Sequence, residues 1–228
     1  MDEFRKAAKA ESSSFYLQIV GIIQSLSLGF LLIMVREFHE QFWPLMTLGA
    51  VTSWLQAALI FQFIVMTWHV NIGNAIVMSR LVGLPDSYIP FIFSIPQFFL
   101  AVCLPPAHFP FFCYFMGIFC AATFWAYTDM YIKDKREEEN ESYFGELDKF
   151  RVFGLKYRNF VLIYVASGGL IFIGIGILFQ LMGSNAHLSL LCVAFANFLV
   201  IFFTYWHVSM WRFITARTQT QIPNFRSE

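Results

Sequence analysis

Residues 159–211 read NFVLIYVASGGLIFIGIGILFQLMGSNAHLSLLCVAFANFLVIFFTYWHVSMW and contain no Asp, Glu, Lys or Arg. A helix needs about 20 apolar residues to cross the roughly 30 Å hydrocarbon core of a bilayer, so this run is long enough for two crossings. The polar turn MGSNAH at 182–187 divides it. The sequence here predicts a fifth helix over 160–181 and a sixth over 188–216.

The rest of the chain repeats this alternation of charge-poor runs and short polar breaks. It is 58% hydrophobic and 13% charged, with 29 Phe, which lies outside the usual composition of a soluble domain. Breaks at REFHEQ (36–41) and LPPAHFP (104–110) separate the earlier runs. We predict the first four helices at 14–37, 44–70, 87–104 and 108–133. The predicted fold class is therefore an all-α integral membrane protein with six transmembrane helices.

The distribution of basic residues predicts the orientation. If both termini are cytoplasmic, all but Arg36 of the 15 Lys and Arg lie on the cytoplasmic side, which is the asymmetry that sets membrane topology. We therefore expect a multi-pass protein of a plasma or inner membrane. Its predicted parts are a cytoplasmic N-terminal segment (1–13), helices one to four (14–133), a cytoplasmic linker with an amphipathic interfacial segment (134–158), helices five and six (159–217), and a C-terminal tail (218–228).

The even-numbered helices end alike. The second ends MTWH (66–69), the fourth AYTD (126–129) and the sixth TYWH (204–207), each where the chain re-enters the cytoplasm. This pattern predicts three consecutive helical hairpins of the same orientation. Pro90 and Pro96 interrupt the third helix, and we interpret it as a kinked packing helix in preference to a broken helix that lines a cavity.

Polar side chains in the helices are the candidates for a site. On the second helix Thr52, Gln56, Thr67 and Asn71 share one face, while Gln62 and His69 share an adjacent one. Small and polar residues commonly hold membrane helices together, and a glycine seam at Gly169, Gly176 and Gly183 fits that role. The alternative is a polar path through the bundle, for which we predict Gln62, His69, Asp129, Asn197, Thr204 and His207.

Three of these residues also form a candidate metal site. His69, Asp129 and His207 occupy matching helix ends, and two imidazoles with one carboxylate are the ligands of a facial metal triad. The two histidines alone are candidate axial ligands of a haem. Their depth near the membrane interface favours anchoring beside Trp and Tyr over a metal or haem site. Cys103 and Cys113 flank a short outer loop, but we expect them to be small buried side chains in preference to a disulfide.

Three functions remain open at this point. The first, which we favour, is a channel, transporter or membrane sensor with a polar path. The second is a metal- or haem-dependent membrane oxidoreductase, and the third is a non-catalytic subunit of a larger membrane complex. The sequence has no His-Glu-x-x-His motif, phosphate-binding glycine loop or nucleophile elbow. The predicted partners are the lipid bilayer and either identical subunits or other membrane proteins, with no nucleic acid.

Overall fold

The computed structural model describes the backbone of residues 2–43, 47–77, 88–136, 148–183 and 185–220, and the side chains within 14–43, 47–71, 88–126, 128, 159–183 and 185–209. The regular structure in these ranges is helical. Its α-helices are α1 (Asp2–Glu37), α2 (Leu48–Val77), α3 (Ile89–Val102), α4 (Phe109–Arg136), α5 (Asp148–Met182) and α6 (Ala186–Thr220), with short 3-10 turns at His39–Phe42 and Pro106–His108.

Each predicted helix is present, but several extend beyond their predicted bounds. The first begins at Asp2, within the predicted N-terminal segment, and the sixth continues to Thr220. The fifth begins at Asp148, so the second half of the predicted linker is backbone of α5. Residues 137–147, the side chains of 148–158 and the tail from 221 lie outside the described residues, and the amphipathic segment stays a prediction.

Among the described residues, five segments are long and apolar enough to span a membrane. They are Ser14–Glu37, Leu48–Asn71, Pro106–Ala126, Asn159–Met182 and Ala186–Ser209. The sixth helix of the set, α3, has 14 residues and measures about 21 Å at 1.5 Å per residue, less than the roughly 30 Å core. It runs through Pro96 as one helix with Pro90 in its first turn, so it is not broken at either proline.

The helices pack in an order that differs from the chain order. The pairs α1 with α2 and α3 with α4 pack as hairpins, and α1 also packs on α3. The last two helices lie against different neighbours, α5 along α4 and α6 along α2. Among the described residues, α5 and α6 of the predicted third hairpin are therefore consecutive in the chain but do not pack along each other as a hairpin.

A seam of small residues explains why α5 prefers α4. A Cβ atom placed on Gly117 would lie 2.5 Å from Cγ1 of Ile173, and one on Gly169 would lie 3.0 Å from Cβ of Cys120. Such close approach of two backbones is the usual geometry of small-residue packing in membranes. Gly176 belongs to the same seam. Gly183 does not, because its φ of 82° places it at the end of α5, where a left-handed residue stops the helix.

Candidate functional site

One polar face of α2 joins it to α1 and α3. The predicted set Thr52, Gln56, Thr67 and Asn71 is buried, and all but Thr52, which bonds within its own helix, reach neighbouring elements. Ser53, which the sequence analysis did not select, also takes part. The bonds run from Ser53 Oγ to the Leu104 carbonyl (3.1 Å), from Gln56 Nε2 to the Cys103 carbonyl (3.4 Å), from Gln97 Nε2 to Thr67 Oγ1 (3.2 Å) and from the Tyr16 hydroxyl to Asn71 Oδ1.

The adjacent polar face of α2 meets α6. Gln62 Nε2 donates to Oδ1 of Asn197 over 3.0 Å. Asn197 Nδ2 in turn donates to the Leu55 carbonyl of α2 at 3.0 Å and to the Val193 carbonyl of its own helix at 2.8 Å. Gln62 and Asn197, predicted as the deepest members of a polar path, are thus brought together. We call these two side chains the amide clamp.

The two histidines of the repeated Trp-His pattern also converge. The rings of His69 and His207 lie edge to face, with centroids 5.5 Å apart and planes at 80°. His207 is buried and stacks on Phe203 at 6.2 Å. The Nε2 atom of His69 is buried and has no hydrogen-bond partner among the described residues. The histidine pair lies at the linker side of the bundle, by which we mean the end where α4 stops and α5 begins.

Of the remaining predicted site residues, Thr204 does not join these contacts. The hydroxyl of Thr204 donates to the Val200 carbonyl of its own helix at 2.7 Å. Asp129 belongs to α4, but its side chain lies outside the described residues, so the metal triad stays a prediction. Within the side chains that are described, no group of three or more His, Cys, Asp or Glu is placed to hold a metal ion. Cys103 and Cys113 are both buried and unbridged, as expected.

Several buried polar atoms have no hydrogen-bond partner among the described residues. They are Gln24 Nε2 and Oε1, Ser27 Oγ, Gln56 Oε1, Gln62 Oε1, Gln97 Oε1 and His69 Nε2. Along α2 they extend from Gln56 to His69, about 20 Å at 1.5 Å per residue. A dry unpaired polar group costs several kcal/mol in hydrocarbon, whereas a buried water satisfies two to four such groups.

Sequence reasoning missed three members of this set, namely Gln24, Ser27 and Gln97. Each is a single polar residue in an apolar helix, which is the same signal that ordinary helix packing produces. A glutamine is larger than the Gly, Ala, Ser and Thr that let membrane helices approach closely. The size of Gln24 and Gln97 was therefore the one signal in the sequence that set them apart from ordinary packing residues. Together these unpaired atoms lie on three helices, α1, α2 and α3.

The candidate site thus contains the amide clamp, the histidine pair, and amide oxygens without a partner among the described residues. These oxygens lie on both polar faces of α2 and on α1 and α3. Compared with models of protein families, with curated proteins and with solved structures, the chain matches none.

Proposed function

We propose that this protein is a membrane channel or transporter in which a file of water molecules follows α2 through the bundle. One observation carries the proposal: buried polar atoms without a hydrogen-bond partner among the described residues occur over about 20 Å of α2, two thirds of the thickness of a bilayer core. Gln56 lies on the face toward α1 and α3, and Gln62 and His69 lie on the adjacent face toward α6. Fully bonded glutamines would be explained by helix packing, whereas buried water or an ion would satisfy unpaired ones.

The chemistry of the lining favours a small permeant species. The described lining atoms on α2 and α3 are neutral amide oxygens and one imidazole nitrogen. Rings of carbonyl dipoles replace the hydration shell of alkali cations in channels, and side-chain amide oxygens are dipoles of the same kind. Glutamine side chains and water also support proton transfer along a hydrogen-bonded file. We therefore assign the path to protons or a monovalent cation, with both termini in the cytoplasm as the sequence predicts.

The histidine pair gives the path an entrance at the linker side. His69 lies seven residues from Gln62 on the same face, about 10 Å along α2. The edge-to-face contact of the two rings holds α2 against α6 here. Loss of that contact would separate α2 from α6 at this end. In the sensor version of the proposal, the same separation is the signal.

Flux through reconstituted protein tests the proposal. Liposomes containing the wild-type protein, loaded with K⁺ and a pH-sensitive dye, are expected to pass protons or K⁺ faster than empty liposomes. Gln56→Leu and Gln62→Leu remove lining oxygens and are expected to abolish the flux. Thr204→Val is the matched control, because that hydroxyl bonds only its own helix among the described contacts. Equal flux in empty and protein-containing liposomes refutes transport.

A metal-dependent function is the second candidate, because the histidine pair favours it. The unpaired Nε2 of His69 faces a buried setting and is a suitable ligand atom for Zn²⁺ or a similar ion when unprotonated. A haem fits less well, since the rings already touch edge to face and a porphyrin would have to separate α2 and α6. Metal analysis of the purified protein distinguishes this candidate. A non-catalytic subunit role, and an assembly with identical or other membrane subunits, remain predictions.

A further inference from the structure

A cavity of about 180 Å³ lies between the pair α2 and α6 and the pair α4 and α5. It exists because α5 and α6 pack on different neighbours and leave a space between them. The lining is mostly aromatic and aliphatic and includes Phe63, Met116, Phe119, Ile171, Leu199 and Phe203. Neither the amide clamp nor the histidine pair lines this space, so it is separate from the polar path.

Four polar side chains that line the cavity are already engaged in hydrogen bonds: Thr67 with Gln97 of α3, Asn71 with Tyr16 of α1, and two hydroxyl groups within their own helices. Thr123 donates to the Phe119 carbonyl at 2.9 Å, and Ser167 donates to the Ile163 carbonyl at 2.8 Å. Their hydroxyl groups are therefore already engaged, and the surface presented to the cavity is apolar. Apolar cavities of about 150 Å³ stay free of water and accept hydrocarbon ligands, so water does not fill this one.

The cavity reaches the outer surface of the bundle. Ile171, one of its lining residues, is 60% exposed. At the linker side the gap between α5 and α6 is closed by two aromatic contacts, Phe160 with Trp206 at 4.7 Å and Tyr164 with Phe203 at 5.4 Å. The cavity is thus closed at the linker end and reaches the part of the surface that lies within the span of α5, where lipid chains are the solvent.

We propose that this cavity is a binding site for one acyl chain of a membrane lipid, which enters between α5 and α6. The apolar lining excludes polar ligands because their groups would find no partners. The volume of about 180 Å³ is close to that of apolar cavities that bind benzene-sized ligands, about 150 Å³, which suits a segment of hydrocarbon chain and not a whole lipid. The headgroup stays outside. This site does not depend on the proposed transport function.

Glycines of α5 provide a test with a matched control. Gly168 lines the cavity, and a Cβ placed on it meets no atom within 4 Å, so Gly168→Leu is the variant chosen to fill the cavity. Gly174 has equal space but does not line the cavity, so Gly174→Leu is the control. Ala196→Leu fills the same space from α6 and guards against a folding defect peculiar to one variant.

The measurement is native mass spectrometry of protein reconstituted with dipalmitoyl phosphatidylglycerol and then extracted in mild detergent. We expect one tightly held lipid per wild-type chain and per Gly174→Leu chain, and at least tenfold lower occupancy in Gly168→Leu and Ala196→Leu. Unchanged occupancy in both cavity variants overturns the proposal. The proposal is also overturned if the wild-type protein retains no lipid, or if a second copy of the chain covers Ile171 in place of lipid.

Discussion

The amide clamp allows a quantitative prediction, since Asn197 makes two hydrogen bonds to α2, one with Gln62 and one with the Leu55 carbonyl. Interhelical hydrogen bonds in membranes contribute about 0.6 kcal/mol on average and up to about 1.7 kcal/mol. Replacement by leucine also leaves the Gln62 amide buried without this partner, at a cost of about 1–3 kcal/mol. We therefore expect Asn197→Leu to lower the free energy of unfolding by about 2–4 kcal/mol.

A double-mutant cycle isolates the contact itself. Gln62→Leu combined with Asn197→Leu should destabilise the protein less than the sum of the single variants, by about 0.6–1.7 kcal/mol. The assay is reversible unfolding in mixed detergent micelles with increasing sodium dodecyl sulfate, followed by far-UV circular dichroism. Thr204→Val is the control, because its hydroxyl bonds within α6, and its effect should add to that of Gln62→Leu within about 0.5 kcal/mol. Strict additivity of Gln62→Leu and Asn197→Leu would refute the clamp.

Two further predictions concern the helix seam and the histidine pair. Gly117→Ala should destabilise the protein by about 1–3 kcal/mol, because its new methyl group would overlap the branched side chain of Ile173. Gly174→Ala should be neutral or slightly stabilising in the same unfolding assay. Equal effects of the two substitutions would contradict the seam. If the histidine pair binds a metal, plasma emission spectrometry should find an ion that His69→Ala/His207→Ala loses, and a metal-free wild-type protein would remove the metal-dependent candidate.

The sequence predicted the helices and the two faces of α2 correctly, because both follow from regular periodicity. Gln62 and His69 lie seven residues apart, which is two helical turns, so any partner helix on that face meets both. The structure provides that helix as α6, with Asn197 opposite Gln62 and His207 opposite His69. The length of α3 was overestimated, since the predicted helix at 87–104 contains only 14 helical residues.

The arrangement of α5 and α6 could not be predicted from connectivity. The hairpin prediction relied on the similar ends of the even-numbered helices, and these ends do not determine which helices pack together. Here the glycine seam lets α5 approach α4 more closely than α6. The choice depends on shape matching between Gly117, Ile173 and Gly169, which no periodic pattern reveals. The apolar cavity follows from the same choice and was likewise not predicted.

Hydration of α2 is the central claim, and water-edited solid-state NMR of the protein in lipid bilayers tests it most directly. With side-chain amides of glutamine labelled with ¹⁵N, magnetisation passes from water to an amide only across a few ångströms. The signals are assigned by Gln56→Leu and Gln62→Leu. We predict rapid transfer to both amides, at rates near those of Gln180, which lies at the exposed end of α5. Transfer confined to Gln180, with Gln56 and Gln62 dry, would contradict the water file and leave these side chains as packing residues.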